Sequence, residues 1–168
     1  MLRDRETGRW TGASDPRGVK GRARSYCRPS IQIIVSVFGS YCSVSHSAPA
    51  AGSDGTVYVG SYDYNVYALD AATGTKIWNF ETGFAVVSSP AVVDGVVYVG
   101  SEDYKVYALD AATGALIWDY KTGDQIHLSS PAVADGMVYV GSNDKNVYAI
   151  NASNGNLVWK YPTGHVVI

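Results

Sequence analysis

The sequence predicts an all-β protein made of β-propeller blades, and three observations carry that prediction. The stretch A-L-D-A-A-T-G-T-K-I-W at Ala68 to Trp78 returns as A-L-D-A-A-T-G-A-L-I-W at Ala108 to Trp118 and as A-I-N-A-S-N-G-N-L-V-W at Ala149 to Trp159, a period of 40 and then 41 residues. A fixed period of this length marks units that bury their faces against their neighbours. Within each unit, β-branched and aromatic runs are separated by Asp-Gly and other glycine turns and show no helical period, so they read as strands. Four such runs fit in each unit, the last carrying the tryptophan, which is the pattern of a four-stranded antiparallel blade.

The first strand of each unit is a small-Pro-Ala segment: Ala48-Pro49-Ala50, Ser89-Pro90-Ala91 and Ser130-Pro131-Ala132. Proline removes a ladder donor, which puts this strand at a sheet edge. The pairs Asp54-Gly55, Asp94-Gly95 and Asp135-Gly136 then supply the positive-φ residue of a tight hairpin. The second strands read T-V-Y-V-G-S, V-V-Y-V-G-S and M-V-Y-V-G-S, and loops at 62–65, 102–105 and 143–146 lead to third strands V-Y-A-L-D, V-Y-A-L-D and V-Y-A-I-N. After the third strand, Asp70 or Asp110 can fold its carboxylate onto backbone N–H groups two or three residues on, while Gly74 or Gly114 takes the left-handed conformation. The fourth strands carry Trp78, Trp118 and Trp159, the natural wedges between blades. Because neighbouring blades cover both faces, the strands are expected to be apolar on both sides.

The blades are expected at about 47–83, 88–123 and 129–164. Residues 1–46 differ in kind. Residues 1–50 hold eight Lys/Arg against three Asp/Glu, whereas residues 51–168 hold five against twelve. The basic segment is expected to be a disordered leader or linker; the apolar run Ile31 to Phe38 followed by small residues has the outline of an export signal at about 31–42, with a mis-set start or a plain linker as the alternatives. That run is too short to span a bilayer. The acidic repeat region, with scattered lysines, argues against nucleic acid as a partner. Cys27 and Cys42 lie outside the repeats, so no disulfide framework supports the blades. His46, His127 and His165 share no register, which argues against a repeated metal-ligand set.

With these residues in hand, the chain resembles the pyrroloquinoline-quinone (PQQ) repeat family, whose tryptophan-docking motif reads A-x-D-x-x-T-G-x-x-x-W. The first two units match at every specified position. The third departs at Asn151 and Asn154 but keeps Gly155 and Trp159. The docking residues Asp70, Gly74, Trp78, Asp110, Gly114, Trp118, Gly155 and Trp159 are therefore expected to be structural. The resemblance implies several roles: quinone-dependent dehydrogenases, outer-membrane assembly scaffolds of the BamB type, receptor-kinase sensor domains and exported proteins that bind no quinone. For the dehydrogenases it implies adjacent disulfide-bonded cysteines, a calcium site and a catalytic aspartate, none of which maps onto this sequence.

The expected function is thus a non-catalytic, extracytoplasmic interaction scaffold or sensor with no cofactor and a protein partner. The alternative is part of a quinone-dependent alcohol or sugar dehydrogenase, which would require PQQ and calcium. Tyr62, Tyr64 and Tyr104, from the loops between second and third strands, and Phe84, from an inter-blade linker, should emerge on one propeller face. They either shield strand ends or anchor a protein partner, as exposed aromatics do at interfaces. Propellers close with about four to eight blades, so three units are expected to be a fragment whose open blade faces favour self-association. A short protomer completing its ring by oligomerisation is the alternative.

Overall fold

The computed structural model describes residues 2–3, 10–11 and 47–168. The expected leader over 1–46, with its signal-like segment at 31–42, lies outside the described residues apart from two short strands. These are β1 (Leu2–Arg3) and β2 (Trp10–Thr11), paired antiparallel.

Three four-stranded antiparallel sheets follow, each a simple meander. The first contains β3 (Ala50–Ala51), β4 (Thr56–Gly60), β5 (Asn65–Asp70) and β6 (Lys76–Glu81). The second contains β7 (Ala91–Val93), β8 (Val96–Gly100), β9 (Lys105–Asp110) and β10 (Leu116–Lys121). The third contains β11 (Ala132–Ala134), β12 (Met137–Ser142), β13 (Asn146–Asn151) and β14 (Leu157–Pro162). Pro49, Pro90 and Pro131 stand immediately before the short strands that form one edge of each sheet, where the missing donor costs no ladder bond. No helix among the described residues is long and apolar enough to cross a membrane.

Local geometry follows the repeated residues, with two departures. Asp94 (φ 50) and Asp135 (φ 51) join Gly95 and Gly136 in the left-handed region, as a two-residue hairpin turn demands. In the first blade only Gly55 of that pair has positive φ. An additional residue lengthens this loop, so Asp54 instead accepts the Thr56 N–H through Oδ1 at 3.0 Å. The second departure is a bulge in every outer pair. Ala68 faces Trp78 while Leu69 faces Lys76, which leaves Ile77 unpaired, and Ile117 and Val158 are displaced in the same way. The extra residue sets the tryptophan on the face that meets the next blade and turns the bulged side chain to solvent.

Apolar burial on both faces holds for the inner strands of the middle blade, whereas β4 and β12 alternate between buried and partly exposed positions. β8 and β9 bury Val97, Tyr98, Val99, Val106, Tyr107, Ala108 and Leu109, forming one core with the first sheet and another with the third. On β6 and β10 the tryptophan alone is buried, because the outer strand has water beyond its edge.

Candidate functional site

Two kinds of repeated site connect the blades. At the first, the Asp70 carboxylate accepts the Ala72 and Thr73 N–H groups and the Thr73 hydroxyl at 3.1, 2.7 and 2.7 Å, and Asp110 repeats the pattern on Ala112 and Thr113. The Thr side chain and the backbone N–H groups hold both carboxyls below the usual carboxylate range. With one oxygen of each so engaged, these aspartates act as turn clamps. In the third blade Asn151 keeps the clamp by accepting the Ser153 N–H and hydroxyl, and Asn154 accepts the Asn156 N–H.

The clamped turn is a seat for the preceding blade's tryptophan. Trp78 donates its indole N–H to Ala111 O at 2.9 Å, and Trp118 donates to Ala152 O at 2.8 Å. A Cβ on Gly114 would lie 2.7 Å from the Trp78 ring, and one on Gly155 would lie 2.8 Å from Trp118. The glycine is therefore required twice, for its φ of +74 or +72 and for the close approach of the ring. Gly74 has the same backbone with open space above it, and Trp159, 45% exposed, reaches no such seat among the described residues.

The second site lies on the opposite ends of the strands. There the threonine of each inter-blade linker ties the linker to a loop: Thr82 donates its N–H and hydroxyl to Tyr64 O, both at 2.7 Å, and Thr122 and Thr163 do the same to Tyr104 O and Lys145 O. Tyr64, Tyr104 and Lys145 sit at φ 72, 76 and 67, so their carbonyls point at these donors. Tyr62, Tyr64, Phe84 and Tyr104 are all exposed on this face. The structure brings Tyr64 and Phe84 together, with ring centroids 5.0 Å apart and an interplanar angle of 19°. Tyr62 and Tyr104 stand without a ring partner among the described residues.

Sequence reasoning missed the aspartate that builds these loops. Asp63, Asp103 and Asp144 each accept a backbone N–H two residues on and the hydroxyl of Tyr67, Tyr107 or Tyr148. Asp103 and Asp144 also accept the N–H of Gly83 and Gly123 from the preceding linker, so each joins two blades. The signal was present as D-x-[NK]-x-Y in all three units. Burial alone would raise the Asp63 and Asp144 carboxyls, but their hydrogen bonds, led by those of the tyrosines, hold both below the ordinary value. Conversely, the hydrogen bond to Asp63 and then burial push Tyr67 up to about 12, and burial followed by the bond to Asp144 pushes Tyr148 up to about 12.

One pair on this face stands outside the repeat pattern. His127, in the linker that carries the forty-first residue, pairs through Nδ1 with Glu102 Oε1. Among the described residues no group of three His, Cys, Asp or Glu side chains could hold a metal ion. A shallow cleft of about 530 Å³ lies at the other end of the strands, between the first hairpins of blades one and two, where Asp54, Asp94 and Ala111 contribute to its wall.

Over residues 4–165 the sequence matches the PQQ-repeat family described as outer membrane protein assembly factor BamB. The chain belongs to that family. BamB from Moraxella catarrhalis is 23% identical with a TM-score of 0.62, the match covering 70% of this chain and 36% of that one. Quinohemoprotein alcohol dehydrogenase from Comamonas testosteroni is 28% identical with a TM-score of 0.61, over 69% of this chain and 20% of that one. A europium-containing methanol dehydrogenase is 27% identical with a TM-score of 0.59, over 68% and 24%. The chain thus spans about a third of the BamB structure and a quarter or less of the dehydrogenases. No curated protein matches the sequence. A BamB protein and alcohol dehydrogenases share this fold, so the role must be argued from the site.

Proposed function

We propose that these PQQ-like blades form a non-catalytic, extracytoplasmic scaffold or sensor that docks a protein partner on the face bearing Tyr62, Tyr64, Phe84 and Tyr104. The observation that carries this reading is an exposed aromatic rim on a backbone held by threonine and aspartate clamps. Large aromatics fixed before binding lose little conformational entropy when a partner covers them, which is why such residues anchor interfaces. The family's description as an outer-membrane assembly factor supports a location outside the cytoplasm. Replacing Tyr62, Tyr64 and Tyr104 together by serine should abolish capture of the partner from an envelope extract while leaving the melting temperature nearly unchanged. Undiminished capture by a folded triple variant would overturn the reading.

A second reading, part of a quinone-dependent alcohol or sugar dehydrogenase, is favoured by the 27–29% identity to dehydrogenases against 23% to the BamB structure. Its calcium and PQQ would have to be held by groups other than the recurring carboxylates of the described blades. The recurring carboxylates Asp70, Asp110, Asp63, Asp103 and Asp144 serve as clamps for backbone, threonine and tyrosine donors. Calorimetric titration of the full-length gene product with PQQ and calcium separates the two readings, since stoichiometric binding would favour the dehydrogenase.

A further inference from the structure

Three of the exposed rings gather where blade one meets blade two. Hydrogen bonds lay the linker at 81–85 between the loops at 61–65 and 101–105: the Thr82 hydroxyl donates to Tyr64 O, Gly83 N–H to Asp103 Oδ2 at 2.7 Å and Glu102 N–H to Ala85 O at 3.0 Å. Tyr64, Phe84 and Tyr104 therefore reach solvent from one joint. Their exposure does not come from a missing neighbour. Tyr104 belongs to blade two, which packs against a described blade on each side, and is 39% exposed; Tyr64, in the same register of blade one, is 40% exposed. Phe84 lies in the linker between two described blades and is 44% exposed.

The uncompensated charge around these rings is of one sign. Asp63 and Asp103 accept from backbone N–H groups and from the Tyr67 and Tyr107 hydroxyls, neutral donors that satisfy the oxygens without cancelling the negative charge. Glu81, at the start of the linker, is exposed and has no ion-pair partner among the described residues. The cations nearby are spent: Lys105 pairs with Asp119 and lies over the Tyr107 ring, His127 pairs with Glu102, and Lys76 bonds Asn79 from the other end of β6. At the joint between blades two and three the pattern reverses. The registers of Glu81, Phe84 and Tyr104 carry Lys121, Asp124 and Lys145 there, so rings and free carboxylates coincide at the first joint alone among the described residues.

We propose that this joint holds an arginine-bearing segment of the protein partner, its guanidinium groups over the faces of Tyr64, Phe84 and Tyr104 and beside Asp63, Glu81 and Asp103. The proposal rests on the docking role of the rim and names the chemistry that the rim recognises. A cation over an aromatic face is attracted by the ring quadrupole, and the planar, weakly hydrated guanidinium also stacks. The stacked Tyr64 and Phe84 rings give it a broad platform. Asp63 and Asp103 are already held in place, so their attraction costs no ordering on binding. An acidic segment would meet like charge here, and an apolar one would strip water from the carboxylates without replacing it.

The test is fluorescence anisotropy of labelled peptides that alternate glycine with arginine, lysine or glutamate, titrated with the 168-residue chain at low and high salt. The arginine peptide should bind severalfold more tightly than the lysine peptide, and the glutamate peptide should not bind. Replacing Tyr64 and Phe84 together by serine leaves the charge unchanged and should weaken arginine binding roughly tenfold, as loss of an interface anchor does. Glu81→Gln, at an exposed position, should weaken it at low salt and reduce its salt dependence. No binding of the arginine peptide, or binding that a folded ring variant and Glu81→Gln both leave unchanged, would overturn the proposal, the latter because attraction to net charge alone would explain it. Its failure is distinct from failure of the docking role. If the Tyr62, Tyr64 and Tyr104 serine variant loses the envelope partner while the arginine peptide neither binds nor competes with that partner, docking stands and the arginine assignment falls.

Discussion

The tryptophan seats make a quantitative prediction, because the same residue type occurs filled and unfilled in one chain. Truncate Trp118 to alanine in one variant and Trp159 in another. An indole buries on the order of 200 Å², which at about 25 cal/mol per Å² gives roughly 5 kcal/mol for complete burial. Trp118 is 8% exposed, so nearly all of that applies, whereas Trp159 is 45% exposed and about half applies. Trp118→Ala also leaves Ala152 O without its indole donor, adding about 1 kcal/mol. Partial collapse of the site offsets some of this loss, so the expected penalties are about 3–5 kcal/mol for Trp118→Ala and about 2 kcal/mol or less for Trp159→Ala. The assay is a urea titration followed by far-ultraviolet circular dichroism, since removing a tryptophan alters the fluorescence itself. It is run at protein concentrations low enough to keep copies apart. Blade three touches only blade two among the blades, so Trp118→Ala should also broaden the transition as the third sheet loosens first. Equal midpoints for the two variants would refute the account of the seat.

Two further outcomes follow from the loop geometry. Burial and then the hydrogen bond to Asp144 push Tyr148 from 10 up to about 12 on folding, so together they contribute stability that is complete below pH 10 and is lost as pH rises from 10 to about 12. Urea midpoints between pH 9 and 12 should fall, and Tyr148→Phe should lower the midpoint at pH 8 while flattening that slope; an unchanged slope would show that the phenol does not titrate with folding. The non-glycine φ of 76 at Tyr104 costs about 1 kcal/mol, and its ring stacks on nothing, so Tyr104→Gly should raise the melting temperature by about 3 °C. Tyr64→Gly should gain less because it forfeits the stack on Phe84; a lowered melting temperature for Tyr104→Gly would show that the ring contributes more than its strain costs.

How much was legible in the sequence depended on how local each cause was. The clamp of Asp70 and Asp110 closes within three residues and the Asp-Gly hairpins within two, so residue identity alone announces them. The Asp63, Asp103 and Asp144 loops were equally local and equally repeated, yet they escaped notice because the φ > 0 position is filled by Tyr64, Tyr104 and Lys145, residues that rarely adopt it. Tyr62, Tyr64, Phe84 and Tyr104 are all exposed. That Tyr64 stacks on Phe84 while Tyr62 and Tyr104 stand alone depends on how a linker crosses a loop 18 residues away in sequence, which no local pattern records. The Glu102 to His127 pair was illegible for the same reason, with partners 25 residues apart and in no repeated register.

The sequence by itself determined the repeat, the four strands of each unit, the turns and the tryptophan that ends them, because each follows from backbone preferences and apolar burial within about forty residues. Only the tertiary structure decided which carbonyl each indole meets, why Gly114 and Gly155 must lack a Cβ, and which aromatics are left in water. Those outcomes depend on the angle and spacing at which one blade rests on the next. That geometry arises from packing across two sheets at once, and a single unit's residues do not contain it.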